Sequence, residues 1–308
     1  MQVYYDVVDF QPLQNAVVTS GTFDGVHLGH QKILARLREA AATHGGETVV
    51  LTFWPHPRMV VSKDSQNLRL LSTLEEKIEL LRQNDVQHLV IIPFTREFSE
   101  LSSEEFIQQV LVETIGTKRL VIGYDHHFGR NREGSFEYLQ KNAPRYGFEI
   151  EEIPRLEIEN LTISSTKIRQ ALSEGQTHIA NDLLGRRYSF TGLVVKGRQL
   201  GRTIGYPTAN IQIAESYKLI PADGIYAVRV LVRGKWSKGV MSIGFRPTVN
   251  GVGRTQEVYI FDFKEDIYGE KMTVDIVKYL RPELKFDGLE ALKKAIDQDC
   301  KDALAVLE

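Results

Sequence analysis

Two histidines stand three residues apart inside a glycine-rich stretch near the start of the chain, GTFDGVHLGH, residues 21 to 30. His27 and His30 flank Gly29, whose small size would let a nucleotide lie against the backbone while both imidazoles donate to phosphate oxygens. The apolar run AVVTS precedes this stretch and a helical pattern follows it. A strand, a glycine-rich turn and a helix in that order predict a phosphate site, because the free amides and positive dipole end of a helix start attract anions.

Such a site suits displacement at phosphorus, where positioning and charge stabilisation dominate and no protein nucleophile is needed. Two other interpretations of the histidine pair stay open, a surface turn and half of a zinc site. Zinc needs further ligands, and DHHFG, residues 125 to 129, could supply them. The strand-end position of DHHFG suits a substrate pocket equally well.

A second polar segment, ISSTKIRQALSEG, begins at residue 163. It places Ser164, Ser165 and Thr166 at a helix start, with Lys167 and Arg169 in the first turns. An ordinary Ser/Thr cap with solvated basic residues is the alternative. Basic residues at a helix N-terminus oppose the dipole unless an anion is bound, so the segment favours a second phosphate contact.

A third segment, KGRQLGRTIGYPTANI, begins at residue 196 and alternates glycines with arginines before Pro207. Thr208 and Asn210 are two residues apart, so in a strand they share one face and could offer two neutral oxygens to a hard cation such as Mg²⁺. Downstream, Glu257 lies among β-forming residues, and its carboxylate could accept the proton of an attacking hydroxyl. An ordinary hairpin loop and a solvent-facing glutamate are the alternatives. The sequence contains neither GxxxxGK[S/T] nor a protein-kinase catalytic loop, which argues against those two kinase classes.

The elements that must position these residues divide the chain in two. Up to about residue 160, strand-length apolar runs alternate with helical periodicity, which predicts a doubly wound Rossmann-like α/β domain with a parallel sheet. Capping boxes at Thr73 with Glu76, and at Ser102 with Glu105, predict helix starts. The first box precedes the apolar helical stripe Leu74, Ile78 and Leu81. Past residue 185, β-rich segments separated by turns predict a small closed antiparallel β-barrel. One terminal helix follows, and we expect it to pack on the barrel through the stripe Leu289, Leu292, Ile296, Cys300 and Ala303. We expect domains over residues 1–184 and 185–308.

Composition limits the classes of partner. The chain has 308 residues, 42% hydrophobic and 25% charged, with a formal net charge of -2, so a nucleic-acid partner is not expected. The one cysteine, Cys300, forms no disulfide within the chain, and a reducing compartment fits. No basic start followed by an apolar segment and no run of about 18 apolar residues occurs. We therefore expect a cytoplasmic protein without a membrane partner; its oligomeric state is left open.

GTFDGVHLGH and ISSTKIR together resemble nucleotidyltransferases with paired His-x-Gly-His and Ser/Thr-Lys/Arg motifs. In this spelling they resemble the adenylyltransferase half of the bacterial bifunctional riboflavin kinase/FAD synthetase family, as do FWPHPRMV and GYDHHFGRNREG. The resemblance implies that His27 and His30 are catalytic. The ATP contacts assigned with it are Gly21, Phe23, Asp24, Gly29, His56, Ser164, Ser165 and Arg169, and the FMN contacts are Asp125, Phe128 and Gly129. Trp54 departs from an expected acidic residue, and His127 from a frequent arginine.

GYPTANI, DGIYAV, GFRPTVNG and EVYIFDF, in this order, resemble the riboflavin kinase half of the same family, a β-barrel kinase without a P-loop. The resemblance implies that Thr208 and Asn210 hold Mg²⁺ with ATP and that Glu257 is the general base. We add Gly201 to the ATP contacts and Arg246 to the flavin contacts.

As the resemblance implies, the barrel converts riboflavin and ATP to FMN and ADP, and the N-terminal domain converts FMN and ATP to FAD and pyrophosphate. Three other functions fit parts of the pattern: an adenylyltransferase of another substrate, such as pantetheine phosphate or nicotinamide mononucleotide, an RNA-binding or aminoacyl-tRNA-type protein, and a flavin carrier without turnover. GYPTAN and Glu257 argue against the first, and the near-neutral charge argues against the second.

Overall fold

A computed structural model describes residues 1–62, 67–123, 127–153, 163–197, 199–248 and 251–308 of the chain. The chain forms two compact units, Met1–Ser165 and Thr166–Glu308. The domain limits expected from the sequence, 1–184 and 185–308, stay a prediction.

The first unit is built on a six-stranded sheet of order β1-β4-β3-β2-β5-β6, and every neighbouring pair of strands is parallel. The strands are β1 (Gln2–Tyr4), β2 (Ala16–Ser20), β3 (Glu47–Trp54), β4 (His88–Pro93), β5 (Thr117–Gly123) and β6 (Glu149–Ile153). The helices are α1 (Leu28–His44), α2 (Pro57–Val61), α3 (Leu74–Gln83), α4 (Arg96–Ser99), α5 (Ser103–Glu105), which continues as a π-helix over Phe106–Thr114, and α6 (Phe136–Tyr146).

The sheet is covered on both faces, which is why its central strands are mostly apolar. All five residues of β2 are buried. Val17 belongs to the core cluster that includes Leu34 of α1, whereas its neighbour Val18 belongs to the cluster that includes Phe106. Successive side chains of a strand point to opposite faces, so the doubly wound architecture predicted from the sequence is confirmed.

The helix boundaries follow the local sequence. His27 caps the N-terminus of α1, and the helix ends at Gly45, which adopts a left-handed conformation with φ 61°. The capping boxes at Thr73 and Ser102 are both formed, so those two helix starts are also confirmed.

The second unit contains a closed six-stranded barrel of order β10-β11-β8-β7-β12-β9, and its strand pairs are antiparallel. The strands are β7 (Tyr188–Val195), β8 (Thr208–Gln212), β9 (Gly224–Val232), β10 (Lys235–Thr248), β11 (Gly251–Ile260) and β12 (Lys271–Arg281). The helices are α7 (Ser165–Ser173), α8 (Thr177–Leu184), α9 (Leu200–Thr203) and α10 (Leu289–Leu307).

The terminal helix α10 packs on the barrel, as predicted. Ala303 and Leu307 form a core cluster with Ile225, Ala227 and Val240 of the barrel strands. The expected packing of Leu289 is wrong, because this residue is 62% exposed at the start of the helix.

Helix α8 packs on the barrel, and α7 contacts the loop that precedes β9. The amide of Ala222 donates to the carbonyl of Leu172 at 2.9 Å, and the side-chain amide of Asn181 donates to the carbonyl of Ile276 at 3.1 Å. The second compact unit therefore begins before the first barrel strand.

Candidate active sites

The glycine-rich turn lies at the carboxyl end of β2, where the winding of the sheet changes direction. β2 lies between β3 and β5, and the chain continues from these strands toward opposite edges of the sheet. Ligands of open α/β sheets bind in the crevice at such a point. At the base of the turn, the amide of Gly21 donates to the carbonyl of Leu51 at 3.0 Å.

The backbone of the turn is strained. Phe23, Gly25 and Val26 have φ values of 47°, 79° and 39°. Glycine adopts this region freely, but each non-glycine residue there costs about 1 to 3 kcal/mol, and a β-branched residue is a clear outlier. The ring of Phe23 is buried in the core cluster that also contains Val26, so Phe23 could reach a ligand only through its backbone. Strain of this size must be balanced by contacts elsewhere.

The buried carboxylate of Asp24 holds the turn in this shape. Its Oδ1 accepts hydrogen bonds from the amides of Leu71 at 2.9 Å and Ser72 at 3.2 Å, and the amide of Gly25 donates to the Ser72 hydroxyl at 3.2 Å. A Cβ at Gly25 would lie 2.8 Å from the Leu71 side chain, so glycine is required by space as well as by φ. In the structure, the Asp24 carboxylate stabilises the turn through these hydrogen bonds. An ATP contact by Asp24 stays a prediction.

His27 and His30 form a stacked pair at the start of α1. Nδ1 of His27 accepts a hydrogen bond from the amide of His30 at 3.3 Å, and the ring centroids are 3.6 Å apart at an angle of 14°. Burial, then the neighbouring charges of His27 and Lys77, lower the pKa of His30 well below its ordinary value. His30 is therefore an uncharged imidazole at neutral pH and can donate one hydrogen bond. Within the described chain, its buried Nδ1 has no hydrogen-bond partner.

The second polar segment meets this turn through Ser165. The hydroxyl of Ser165 donates to the carbonyl of Asp24 at 3.0 Å, with Ser164 directly before it in the chain. Arg169 lies in the second unit, where its guanidinium donates to the Thr166 hydroxyl at 3.4 Å. The structure thus brings Ser165 to the histidine turn, while the phosphate contacts of all three predicted residues stay predictions.

His56 and Gly29 occupy two helix starts. His56 follows β3 and caps α2, accepting the amide of Arg58 on Nδ1 at 3.1 Å, and its side chain is buried. Gly29 is buried in the first turn of α1. β2 and β3 are parallel neighbours, so both segments follow the same edge of the sheet.

The flavin contacts expected in the first unit are only partly described. Asp125 lies outside the described residues. The ring of Phe128 is buried in the core, 5.5 Å from the ring of Phe106. Gly129 has φ 73°, and a Cβ there would lie 2.8 Å from the amide nitrogen of Ser103. A direct flavin contact by either residue stays a prediction.

In the barrel, Thr208, Asn210 and Glu257 share one face of two paired strands. Asn210 lies opposite Glu257, and Thr208 lies opposite Tyr259. The hydroxyl of Thr208 donates to the Glu257 carboxylate at 3.1 Å. The common face predicted for Thr208 and Asn210 is therefore confirmed, and Glu257 stands beside them.

Two glycines of the preceding loop leave room for this group. A Cβ at Gly197 would overlap the side-chain amide of Asn210, and one at Gly201 would overlap the backbone oxygen of Tyr206 and lie 3.5 Å from the Thr208 hydroxyl. The structure shows Gly201 in close packing, and an ATP contact by this residue stays a prediction. Arg198 of the same loop lies outside the described residues, as does the side chain of Arg246 at the end of β10.

A cavity of about 340 Å³ opens beside Thr208. Val258, Ile260 and Phe263 contribute apolar side chains to its wall, and Arg202 contributes a cation. Ligand pockets are mostly apolar with a few polar groups that fix orientation. The loop from Phe263 to Tyr268, which completes the lining, was not found from the sequence, because aromatic residues in a loop carry no distinguishing pattern.

The donor set in the barrel fits magnesium. A hydroxyl, an amide oxygen and a carboxylate are hard oxygen donors, and Mg²⁺ is held by few such groups together with substrate phosphates. Across the described ranges, no cluster of three or more histidine, cysteine, aspartate or glutamate side chains could hold a metal.

Sequence reasoning also missed Lys77, a buried lysine in α3. Its signal was available, because Lys77 falls on the helical face predicted to be apolar, three residues after Leu74 and four before Leu81. Lys77 is 1% exposed, and its charge acts on His30.

The first unit has a strained glycine-rich turn on a doubly wound sheet, and the barrel that follows in the chain has the hydroxyl–carboxylate pair of Thr208 and Glu257. Together these features fit a two-domain phosphate-transferring enzyme. The sequence model described as FAD synthetase matches residues 9–167, and the one described as riboflavin kinase matches residues 184–307. The chain belongs to the bifunctional riboflavin kinase/FMN adenylyltransferase family, which confirms the resemblance stated above.

Curated relatives cover almost the whole chain. The bifunctional riboflavin kinase/FMN adenylyltransferase of Listeria monocytogenes is 40% identical over 292 residues, 94% of this chain and 92% of the relative. The enzyme of the same name from Pseudomonas fluorescens is 38% identical over 95% of this chain and 93% of its own. That of Escherichia coli K12 is 38% identical over 94% and 91%.

A solved structure has the same fold. A crystal structure described as a macrolide-efflux protein from Streptococcus pneumoniae matches with TM-score 0.88 and 32% identity over 97% of each chain. That description belongs to the other protein. In the part of this chain that the structure describes, no helix combines the length and apolar character needed to cross a membrane.

Proposed function

We propose that the barrel transfers the γ-phosphoryl group of ATP to the ribityl hydroxyl of riboflavin, and that the first unit transfers AMP from a second ATP to FMN. The products are FMN and ADP in the first reaction, and FAD and pyrophosphate in the second. The observation that carries this proposal is the match of the FAD synthetase and riboflavin kinase families to successive parts of one chain.

In the kinase reaction, Glu257 accepts the proton of the riboflavin hydroxyl as that oxygen attacks the γ-phosphorus. The hydroxyl of Thr208 donates to this carboxylate, which fixes its orientation toward the shared face. The cavity beside Thr208 would receive the nucleoside part of ATP against its apolar wall.

Thr208 and Asn210 would hold Mg²⁺ in the barrel. When bound there, the ion would neutralise charge on the phosphates of ATP. The close approach of Gly197 and Gly201 to these side chains keeps both of them in position for that role.

In the adenylyl transfer, an oxygen of the FMN phosphate attacks the α-phosphorus of ATP and pyrophosphate leaves. The strained turn and the first amides of α1 present fixed donors to the triphosphate, and His27 and His30 add the imidazole donors. Fixed donors aimed at developing charge are the largest source of rate acceleration in such reactions.

Two alanine variants of the full chain test this assignment. We expect His30→Ala to lower FAD formation from supplied FMN by about 10²-fold or more, the loss found when one preorganised donor is removed, and to leave FMN formation from riboflavin intact. Glu257→Ala should do the reverse. Chromatographic separation of riboflavin, FMN and FAD measures both reactions in one sample, and a folded variant that lost both activities would refute the assignment of separate sites.

A cytoplasmic location forms part of the proposal. Both reactions consume ATP, and Cys300 is the one cysteine of the chain, so no disulfide within the chain is needed.

A further inference from the structure

Ser242 extends the row of residues that contains the groups of the proposed kinase site. On neighbouring strands, Asn210 lies opposite Glu257, and Glu257 lies opposite Ser242. Residues directly opposite each other in an antiparallel pair project from the same face of the sheet. Ser242 therefore stands one strand away from the carboxylate of Glu257, on the side opposite to Asn210.

Glu283 reaches this row from the segment that follows β12. The Ser242 hydroxyl donates to Oε1 of Glu283 at 3.2 Å. The other carboxylate oxygen lies over Gly244, where a Cβ would overlap it. The absence of a side chain at this position of β10 therefore gives the carboxylate its place against the strand.

A buried ion pair fixes the segment that carries Glu283. Arg281 donates to both carboxylate oxygens of Asp299 in α10, from Nε at 2.7 Å and from Nη2 at 2.6 Å, and Asp299 is 4% exposed. The guanidinium carbon of Arg281 lies 5.8 Å from the ring centroid of Phe286. Because a bidentate pair sets orientation as well as distance, the fold itself holds Glu283, two residues after Arg281, beside Ser242.

We propose that Ser242 and Glu283 bind secondary hydroxyls of the riboflavin side chain and so make the kinase specific for a polyol chain. This inference rests on the proposed function of the barrel, in which the terminal hydroxyl of that chain gives its proton to Glu257.

The chemistry of the two side chains matches a polyol. An ionised carboxylate only accepts hydrogen bonds, and each hydroxyl of the chain can donate one. The Ser242 hydroxyl gives its own proton to Glu283, so its oxygen meets a ligand as a second acceptor. Hydroxyls of a polyol therefore find acceptors at both residues.

The spacing of the strands matches the length of the chain. The Cα atoms of residues directly opposite each other in an antiparallel sheet are about 4.5 to 5.5 Å apart. A ribityl chain with its terminal hydroxyl at Glu257 is long enough to bring a secondary hydroxyl to Ser242. Mg²⁺ with ATP, the reacting hydroxyl and the secondary hydroxyls would then follow one another across β8, β11 and β10, which are neighbours in the barrel.

The test compares two substrates in the full-length protein. One is riboflavin, and the other is the analogue with an ω-hydroxypentyl chain, which keeps the isoalloxazine ring and the terminal hydroxyl but lacks the secondary hydroxyls. Initial rates of phosphorylation with Mg²⁺ and ATP give kcat/KM for each substrate. We expect the wild type to favour riboflavin by about 10- to 100-fold, which corresponds to one hydrogen bond to a charged group.

Glu283→Ala and Ser242→Ala should lose most of this preference. Both should lower kcat/KM for riboflavin by about tenfold or more and change kcat/KM for the analogue by less than about twofold. Glu283→Gln keeps the shape and a neutral acceptor, so it should retain part of the preference. Thr191→Val is the matched control, because it removes a hydroxyl that is hydrogen-bonded to Thr273 at 2.8 Å from β7, which pairs with neither β10 nor β11.

Formation of FAD from supplied FMN is the internal control and should be equal in all proteins. A wild type without a preference between the two substrates overturns the inference. Equal losses for both substrates in Glu283→Ala indicate a structural role alone and overturn it as well. Should Glu283→Ala not fold, Glu283→Gln and Ser242→Ala make the same comparison. Failure of the underlying assignment looks different, because Glu257→Ala would then form FMN at the wild-type rate.

Discussion

Replacing Asp24 by alanine should release the strained turn. The substitution removes the acceptor of two buried amides, those of Leu71 and Ser72. Hydrogen bonds to a charged group contribute about 1.5 to 3 kcal/mol each, so the loss is about 3 to 6 kcal/mol. That is comparable to the combined strain at Phe23 and Val26, about 2 to 6 kcal/mol. We therefore expect the turn to relax, the first unit to lose much of its free energy of unfolding, and FAD formation to fall by at least about 10²-fold.

Asp24→Asn is the matched control. The asparagine Oδ1 can accept both amides, so the variant changes charged hydrogen bonds into neutral ones and should lose about 1 kcal/mol per bond. Most of the turn geometry should survive. The stability difference between the two variants, rather than either value alone, reports the two hydrogen bonds.

The chain provides a fluorescent reporter for each unit. It has two tryptophans, Trp54 at the end of β3 and Trp236 on the barrel. In a Trp236→Phe background, urea unfolding followed by the remaining tryptophan reports the first unit alone. Equal unfolding midpoints for Asp24→Ala and Asp24→Asn would contradict the reasoning, as would an alanine variant that forms FAD at the wild-type rate. FMN formation in the same samples should be unchanged.

Two further predictions concern the barrel and the histidine pair. Gly201→Ala should lower FMN formation by about tenfold, a cost of about 1.4 kcal/mol, because the added Cβ would overlap the Tyr206 oxygen and displace Thr208. FAD formation from supplied FMN is the control. Equal FMN formation in variant and wild type would contradict this prediction. The free energy of unfolding of the first unit should fall as pH drops below 6.5, the ordinary pKa of histidine, because His30 then gains a proton when unfolded but not when folded. Urea titrations at two pH values should show a smaller fall in His30→Gln, and an identical fall would contradict the lowered pKa.

The central part of the fold could be predicted from the sequence because its signals are local. AVVTS and HLVIIPF are mostly apolar, as expected for strands buried on both faces, and the boxes at Thr73 and Ser102 contain both of their partners within four residues. Edge strands lack such a signal. β6 reads EIEEI, and its glutamates suit a strand because it pairs only with β5 at the edge of the sheet.

The site residues also divide into those with a local sequence signal and those without one. The shared face of Thr208 and Asn210 could be predicted from the two-residue repeat of a strand. The pairing of His27 and His30 could be predicted from their spacing in the glycine-rich stretch. The role of Asp24 could not, because its amide partners lie 47 and 48 residues away along the chain. Lys77 gave a partial signal by its place on the apolar face of a helix. Its full burial could not be predicted, since such a lysine usually extends its ammonium to water.

The two sites therefore depend on their surroundings to different degrees. In the barrel, strand register alone sets Asn210 opposite Glu257, and the register is shared by the whole sheet. In the first unit, a single segment from Leu71 to Lys77 supplies both the amides that hold the turn and the charge that acts on His30. Because one helix start carries both functions, we expect a substitution that displaces α3 to alter the shape of the histidine turn and the electrostatics at His30 together. Thr208, Asn210 and Glu257 lie on a separate ladder of strand hydrogen bonds, so we expect their arrangement to be unchanged.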